Sequence, residues 1–267
     1  MLKLLKVYSL IHRTEALTIT IILFVVMVMM VMIGRWASIK WGKEEKGEPK
    51  GGLNSLLGVL FGLSGFILAF TFGMSGTRLE KVRNVVEKEA NDIGTAILRS
   101  DLYADSVREG FRVDFKNYLE AVIDFYENPT DINRLYKAKE DAARAAAGLW
   151  ARATRQSKLP NMLIPSNQMI PALNDMFDIA QTREIVLKSK VPDLIVYMLF
   201  VCVLSTCFIG GFTSTFFQRK DWVIIIGFAL VSSMVIYTTL DLARPLRGVI
   251  KERAGQEAII ELRKSFE

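Results

Sequence analysis

Four long uncharged runs alternate with charged segments along the chain. Each run approaches or exceeds the ~20 apolar residues that a helix needs to cross ~30 Å of hydrocarbon. The runs are Ala16–Gly34, Gly51–Thr77, Leu194–Gln218 and Trp222–Leu240. This pattern predicts four transmembrane helices and therefore an all-α integral membrane protein.

The second run passes without a proline into a charged segment. Beyond Arg78 the apolar positions keep helical spacing while charged residues fill the positions between them. Those apolar positions are Leu79, Val82, Val86, Ile93 and Ile97. The pattern predicts one long helix that begins in the membrane and leaves it without a break.

The residues between the second and third runs predict a helical insertion. Ser106 and Glu109 have the spacing of a capping box, which predicts a helix that begins near Ser106. Asn128-Pro129 should end it. Two more helices are expected from about Asp131 to Lys158 and from about Ser166 to Lys190.

These features divide the chain into four parts. We expect residues 1–77 to contain an N-terminal interfacial helix and the first two spans, and residues 78–190 to form a helical cytoplasmic domain. We expect residues 191–240 to contain the third and fourth spans, and residues 241–267 to form a cytoplasmic tail. An even number of spans puts both termini and the insertion on one side. We assign that side to the cytoplasm, with the spans in the cell membrane.

Two stripes follow the second span. Small residues recur every three or four positions, so that they share one face of a helix and would let another helix approach closely in lipid. They are Gly58, Gly62, Gly65, Ala69 and Gly73. A bulky stripe about a quarter-turn away contains Leu63, Phe66, Phe70 and Met74. It is either a surface that packs on lipid or helices, or a hydrophobic constriction that gates a pore by dewetting.

Composition excludes several other classes of function. The net charge is +6, but the basic residues are spread along helix faces and membrane flanks, so we expect no nucleic-acid partner. Cys202 and Cys207 lie inside the third uncharged run and supply neither a disulfide framework nor a zinc site. No metal site and no cofactor are expected.

The motifs of common enzymes are missing from the sequence. It has no H-E-x-x-H, no Walker loop and no dinucleotide glycine motif. Gly73-Met-Ser-Gly76 is followed by Thr77, where a nucleophile elbow requires a glycine. We therefore expect no catalytic residues and no enzyme activity.

The order of two spans, a helical insertion, two more spans and a polar tail resembles that of the bestrophins, which are pentameric ion channels. The segment from Ala69 to Asn84 resembles the run where the bestrophin pore helix ends, and Thr182 to Pro192 resembles the approach to the family's third span. The likeness is closer to a bacterial bestrophin-like group of unassigned function. That group shares runs similar to Glu89–Ala96, Pro171–Asn174 and Asp241–Gly248.

The resemblance implies a five-fold assembly in which the second span lines the pore. The bulky stripe would then form a neck led by Phe66 and Phe70, with Leu63 and Met74 beside them. Anions are the first expectation for the permeant ions, because the family has many anion channels and the chain is basic. The implied partners are small ions, membrane lipid and further copies of the chain.

Two departures from the family pattern limit this inference. Asp241 stands amid Arg244 and Arg247 where eukaryotic bestrophins have an acidic calcium-binding run, so we expect no calcium gating. Thr71 and Gly73 replace the family arginine and asparagine after the neck. A monovalent-cation channel, or a non-conducting membrane scaffold or signalling protein, is therefore the alternative.

Overall fold

The computed structural model of the protein describes residues 15–41, 51–189, 192–213, 219–249 and 253–267. The predicted N-terminal interfacial helix lies outside the described residues.

Regular structure in the described residues is entirely helical. The helices are α1 (Ala16–Trp41), α2 (Gly51–Ser100), α3 (Asp105–Glu127), α4 (Ile132–Gln156), α5 (Leu163–Lys188), α6 (Asp193–Thr213), α7 (Arg219–Leu242) and α8 (Ala254–Glu261). Short 3-10 helices cover Pro160–Met162 and Leu262–Phe266. Helices α1, α2, α6 and α7 are long and apolar enough to cross a membrane, which confirms the four predicted spans.

Helix α2 is a single helix of 50 residues, as predicted. At about 1.5 Å per residue it is about 75 Å long, or about two and a half times the thickness of the hydrocarbon core. An unbroken helix is favoured there because each backbone group inside lipid must find its partner within the protein.

The chain forms two compact units. We call residues 1–78 with 191–243 the membrane unit, and residues 79–190 with 244–267 the helical unit. The tail, which the sequence analysis set apart from residue 241 onward, therefore packs from residue 244 with the helical insertion.

The membrane unit is organised around α1, which packs against both α6 and α7. Its core includes Met27 and Val31 of α1 and Leu199 and Val203 of α6. Gly34 and Gly211 let the two backbones meet. A Cβ atom at Gly34 would collide with the carbonyl oxygen of Phe208, and one at Gly211 with that of Val31.

The helical unit has an aromatic and aliphatic core supplied by α2, α3, α4, α5 and α8. Its largest fully buried side chains include Phe111, Phe115, Leu119 and Leu173. Ile259 of α8 is only 1% exposed. Beyond α8, Arg263 donates two hydrogen bonds to the Glu120 carboxylate, at 2.8 and 2.7 Å. These contacts hold the tail on the helical unit.

A buried ion pair joins α2 to α5 within the helical unit. Arg183 Nη1 lies 2.5 Å from Glu89 Oε1, and the two side chains are 7% and 0% exposed. Tyr126 of α3 donates a 2.7 Å hydrogen bond to the other Glu89 oxygen, and its ring lies under the Arg183 guanidinium. Burial raises the pKa of the Tyr126 phenol well above its ordinary value, and the Glu89 charge adds to this effect. Tyr126 therefore remains a proton donor to Glu89.

Helix ends match the sequence signals in part. The capping-box prediction is wrong, since α3 begins at Asp105 after Ala104, without a side-chain cap, and Ser106 lies in its first turn. Asp131 does cap α4 by accepting from the amides of Asn133 and Arg134. Helix α5 begins at Leu163, three residues before Ser166, because Pro165 is tolerated in a first helical turn.

Removing the charge of Glu89 should destabilise the helical unit. Glu89→Gln leaves the Arg183 charge buried without a counter-charge, which we expect to cost about 3–5 kcal/mol. The measurement is thermal or denaturant unfolding of the purified protein. Glu87→Gln is the matched control, since its pair with Arg83 is solvent-exposed and should contribute less than about 1 kcal/mol. Equal, small shifts for both variants would contradict a structural role for the buried pair.

Adding one methyl group at the contact between α1 and α6 should also be costly. In Gly211→Ala the new Cβ collides with the backbone of Val31, so the helices must separate, at a cost of about 1–3 kcal/mol. Gly227→Ala on α7 is the control, because its Cβ meets no atom within 4 Å. Thermal stability in detergent should fall for Gly211→Ala alone, and an unchanged midpoint would argue against this helix contact.

Candidate functional site

The membrane-embedded half of α2 presents one inward face that sequence analysis did not identify. Ser64, Ile67, Thr71 and Ser75 follow one another at steps of three or four residues, and all four are buried. This face of α2 packs against the interior of the membrane unit. Its signal in the sequence was the helical recurrence of hydroxyl residues within an apolar run, which is a pattern typical of helix contacts in lipid.

Hydrogen bonds connect this inward face to α6. The Ser64 and Thr206 hydroxyls lie 2.9 Å apart. Thr206 also bonds to the Cys202 carbonyl at 2.8 Å, and Thr71 bonds to the Ile67 carbonyl at 2.6 Å. The Ser75 hydroxyl is buried without a hydrogen-bond partner among the described residues. Most hydroxyl groups of this face are thus satisfied inside the chain.

The bulky stripe lies on another face, about 100° around the helix from Thr71. Phe66 and Phe70 are 69% and 53% exposed, and Leu63 is 44% exposed. The rings of Phe66 and Phe70 stack nearly parallel, with centroids 6.4 Å apart. Met74 is half-buried. The four residues proposed as a neck therefore form a continuous apolar ridge that packs little against the rest of the chain.

The small-residue stripe is open as well. A Cβ atom placed at Gly58, Gly62, Gly65 or Gly73 would meet no atom within 4 Å, and Ala69 is exposed. Within one chain the close helix contact is instead made by Gly34 and Gly211. Within the part of the chain that the structure describes, nothing packs on the predicted small-residue stripe.

An apolar cavity of about 220 Å³ lies inside the membrane unit, between α1, α2, α6 and α7. Its walls include Val31, Phe61, Cys207, Phe228 and Ala229. The Phe61 ring meets the Phe228 ring edge-on, with centroids 4.9 Å apart.

The described residues offer little for chemistry. No group of three His, Cys, Asp or Glu side chains within them could hold a metal ion. Cys202 is half-buried and Cys207 is buried, and neither forms a disulfide. Asp241 is buried at the end of α7, and Arg247 of the tail donates two hydrogen bonds to the Pro129 carbonyl.

Comparison with solved structures identifies the fold. A single-substitution variant of a bacterial bestrophin homologue from Klebsiella pneumoniae superposes with a TM-score of 0.69 at 14% identity, covering 94% of this chain and 97% of that one. A second variant gives 0.68 at 15% identity, covering 92% and 98%. The homologue solved by zinc SAD phasing gives 0.63 at 16% identity, covering 92% and 96%. At such identities the likeness establishes the fold alone.

Comparison of the sequence with protein families identifies the family of the chain, which the fold alone does not. No functionally curated protein matches the chain. A family model described as a bestrophin-like domain matches residues 18–251, which is most of the sequence. With its four membrane helices and its helical insertion, the chain belongs to the bestrophin-like family.

Proposed function

We propose that the protein is a homo-oligomeric, pentameric ion channel of the cell membrane in which α2 lines the pore. Leu63, Phe66, Phe70 and Met74 form its hydrophobic neck. In this proposal the membrane is the bacterial inner membrane, and both termini and the helical unit lie in the cytoplasm.

The observation that carries the proposal is the exposure of two faces of α2. The described residues use one face of this helix for the membrane unit and leave the small stripe and the bulky stripe uncovered. A ring of identical helices needs both uncovered faces. The small stripe permits close approach to the neighbouring copy, and the bulky stripe, about a quarter-turn away, faces the axis.

A neck of this kind controls permeation by wetting. A narrow apolar ring excludes water unless it widens, and ions do not cross a dry constriction. The stacked Phe66 and Phe70 rings supply two successive turns of such a ring. Gating then requires only a change in the diameter of the neck, with no charged residue in it.

Anions are the proposed permeant ions. The chain carries a net charge of +6, and neither Thr71 nor Gly73 adds a charge just after the neck. Thr71 is fully buried in the membrane unit, so its side chain leaves the choice of ion to the wider electrostatic field. A monovalent-cation channel of the same architecture is the alternative.

A non-conducting scaffold is the second candidate. Helix α2 carries the membrane-embedded segment into the helical unit without a break, which is the arrangement that a signalling protein uses to transmit helix movements. A partner protein would then bind the helical unit.

Current across a planar bilayer separates these functions, and the neck predicts how a mutation changes it. Under a potassium chloride gradient, we expect current from the purified oligomer to reverse near the chloride equilibrium potential. Phe66→Ala combined with Phe70→Ala should raise the single-channel conductance, because the constriction widens. Phe72→Ala is the matched control, since this aromatic residue is 42% exposed on nearly the opposite face of α2.

Other outcomes would contradict particular parts of this proposal. Reversal near the potassium potential would indicate the cation channel. Unchanged or lost current in a correctly assembled Phe66/Phe70 variant would remove these residues as the constriction. A silent bilayer with intact oligomer would favour the scaffold.

The small stripe predicts a separate effect on assembly. Gly62→Leu should leave each subunit folded, because the Gly62 Cβ position is open within the chain, and should dissociate the oligomer by blocking the close approach of the next copy. The measurement is size-exclusion chromatography with light scattering. Gly227→Leu, at another open position, should leave the mass unchanged. Equal masses for both variants would place the subunit contact elsewhere.

A further inference from the structure

We infer that the cavity inside the membrane unit is a binding site for one acyl chain of a membrane phospholipid. The cavity touches all four membrane helices and holds about 220 Å³. It therefore gives each subunit a lipid site of its own, apart from the proposed pore.

The chemistry of the walls selects an apolar ligand. Leu57, Phe61, Ile225 and Phe228 line the cavity, and its main hydroxyl group, that of Thr206, is already bonded to the Cys202 carbonyl and to Ser64. A buried water needs two to four polar partners, and apolar cavities stay dry. The Cys207 thiol is only a weak hydrogen-bonding group.

The depth of the cavity matches acyl chains. Phe61 lies ten residues into α2, and Ile225 lies six residues into α7, which corresponds to about 15 Å and 9 Å along the helices. Gly210 lies three residues from the end of α6, or about 5 Å. Half of the hydrocarbon core is about 15 Å thick, so the cavity lies among the chains of the leaflet next to the α1–α2 and α6–α7 connections.

Phe61 of α2 is the most exposed of the residues that line the cavity, at 42%, and we take it as the rim. It lies about 180° around the helix from Phe70 but only about 40° from Gly65 of the small stripe. The opening is therefore turned away from the proposed neck and borders the proposed subunit contact, so a side chain of a second copy is the competing occupant that the labelling test must exclude. This comparison of faces rests on the proposed function. The labelling experiment below measures no current, so its result is independent of whether the protein conducts ions.

Photolabelling tests the site directly. The full chain is reconstituted in nanodiscs that contain a phosphatidylglycerol with a diazirine at the middle of one acyl chain. After irradiation, mass spectrometry should place adducts on Phe61 and Phe228, together with adducts on the outward residues Val231 and Met234, which are 60% and 67% exposed.

Two variants of α7 make the test specific. Ala229→Leu fills the cavity from a wall residue that is 1% exposed, and it should lose most of the adducts on Phe61 and Phe228 while keeping those on Val231 and Met234. Gly227→Leu adds the same side chain where no atom lies within 4 Å of the Cβ position, and it should label like the wild type.

A second measurement covers the case in which Ala229→Leu does not fold. In a Cys202→Ser background, Cys207 on the cavity wall should react more slowly with methyl methanethiosulfonate in nanodiscs than after delipidation in detergent. Equal rates would overturn the inference. Adducts confined to Val231 and Met234 would also overturn it, because water or a side chain of a second copy would then fill the cavity. Adducts on Phe61 and Phe228 that Ala229→Leu does not reduce would overturn it as well.

Discussion

Hydrocarbon supplies no hydrogen-bond partner to a peptide group, and the rest of the structure depends on this constraint. It favours α2 as one unbroken helix from Gly51 to Ser100 that belongs to both compact units. A straight helix then fixes which residues share a face along its whole membrane half. Three faces of this one helix therefore keep fixed positions relative to one another: the inward hydroxyls, the small stripe and the bulky stripe.

The membrane unit uses these sides unequally. Its tight contact is between α1 and α6, where Gly34 and Gly211 bring the two backbones together. Helix α2 joins them through Ser64 and Thr206, which occupies only one of its faces. Loose packing beside this contact leaves the apolar cavity, and the uncovered faces of α2 stay available to other copies of the chain. The geometry of one helix contact thus sets the surfaces proposed for lipid and for assembly.

The helical unit is held by different physics, because there polar groups compete with water. Glu89 and Arg183 are buried as a pair with Tyr126, so that α2, α3 and α5 are tied at a single point. Such a pair adds little net stability compared with apolar residues, but removing one partner is costly. We expect it to favour one arrangement of the three helices, because another packing would separate the two buried charges. The tail reinforces this arrangement through Ile259 and through the Arg263–Glu120 pair.

The sequence by itself determined the four membrane helices, the continuity of α2 and most helix ends, because hydropathy and helical period are local properties of the chain. It also indicated the bestrophin-like architecture. The start of α3 was predicted to within one residue, but its capping box was wrong, because Ser106 and Glu109 have the spacing of the motif and yet lie within the helix. Only the tertiary structure decided that Ser64 and Thr71 face inward, that Gly34 and Gly211 make the close contact, and that Glu89 pairs with Arg183. Ser64 and Thr206 are 142 positions apart, and Glu89 and Arg183 are 94 apart. Contacts over such separations depend on how the helices pack, which no local pattern specifies.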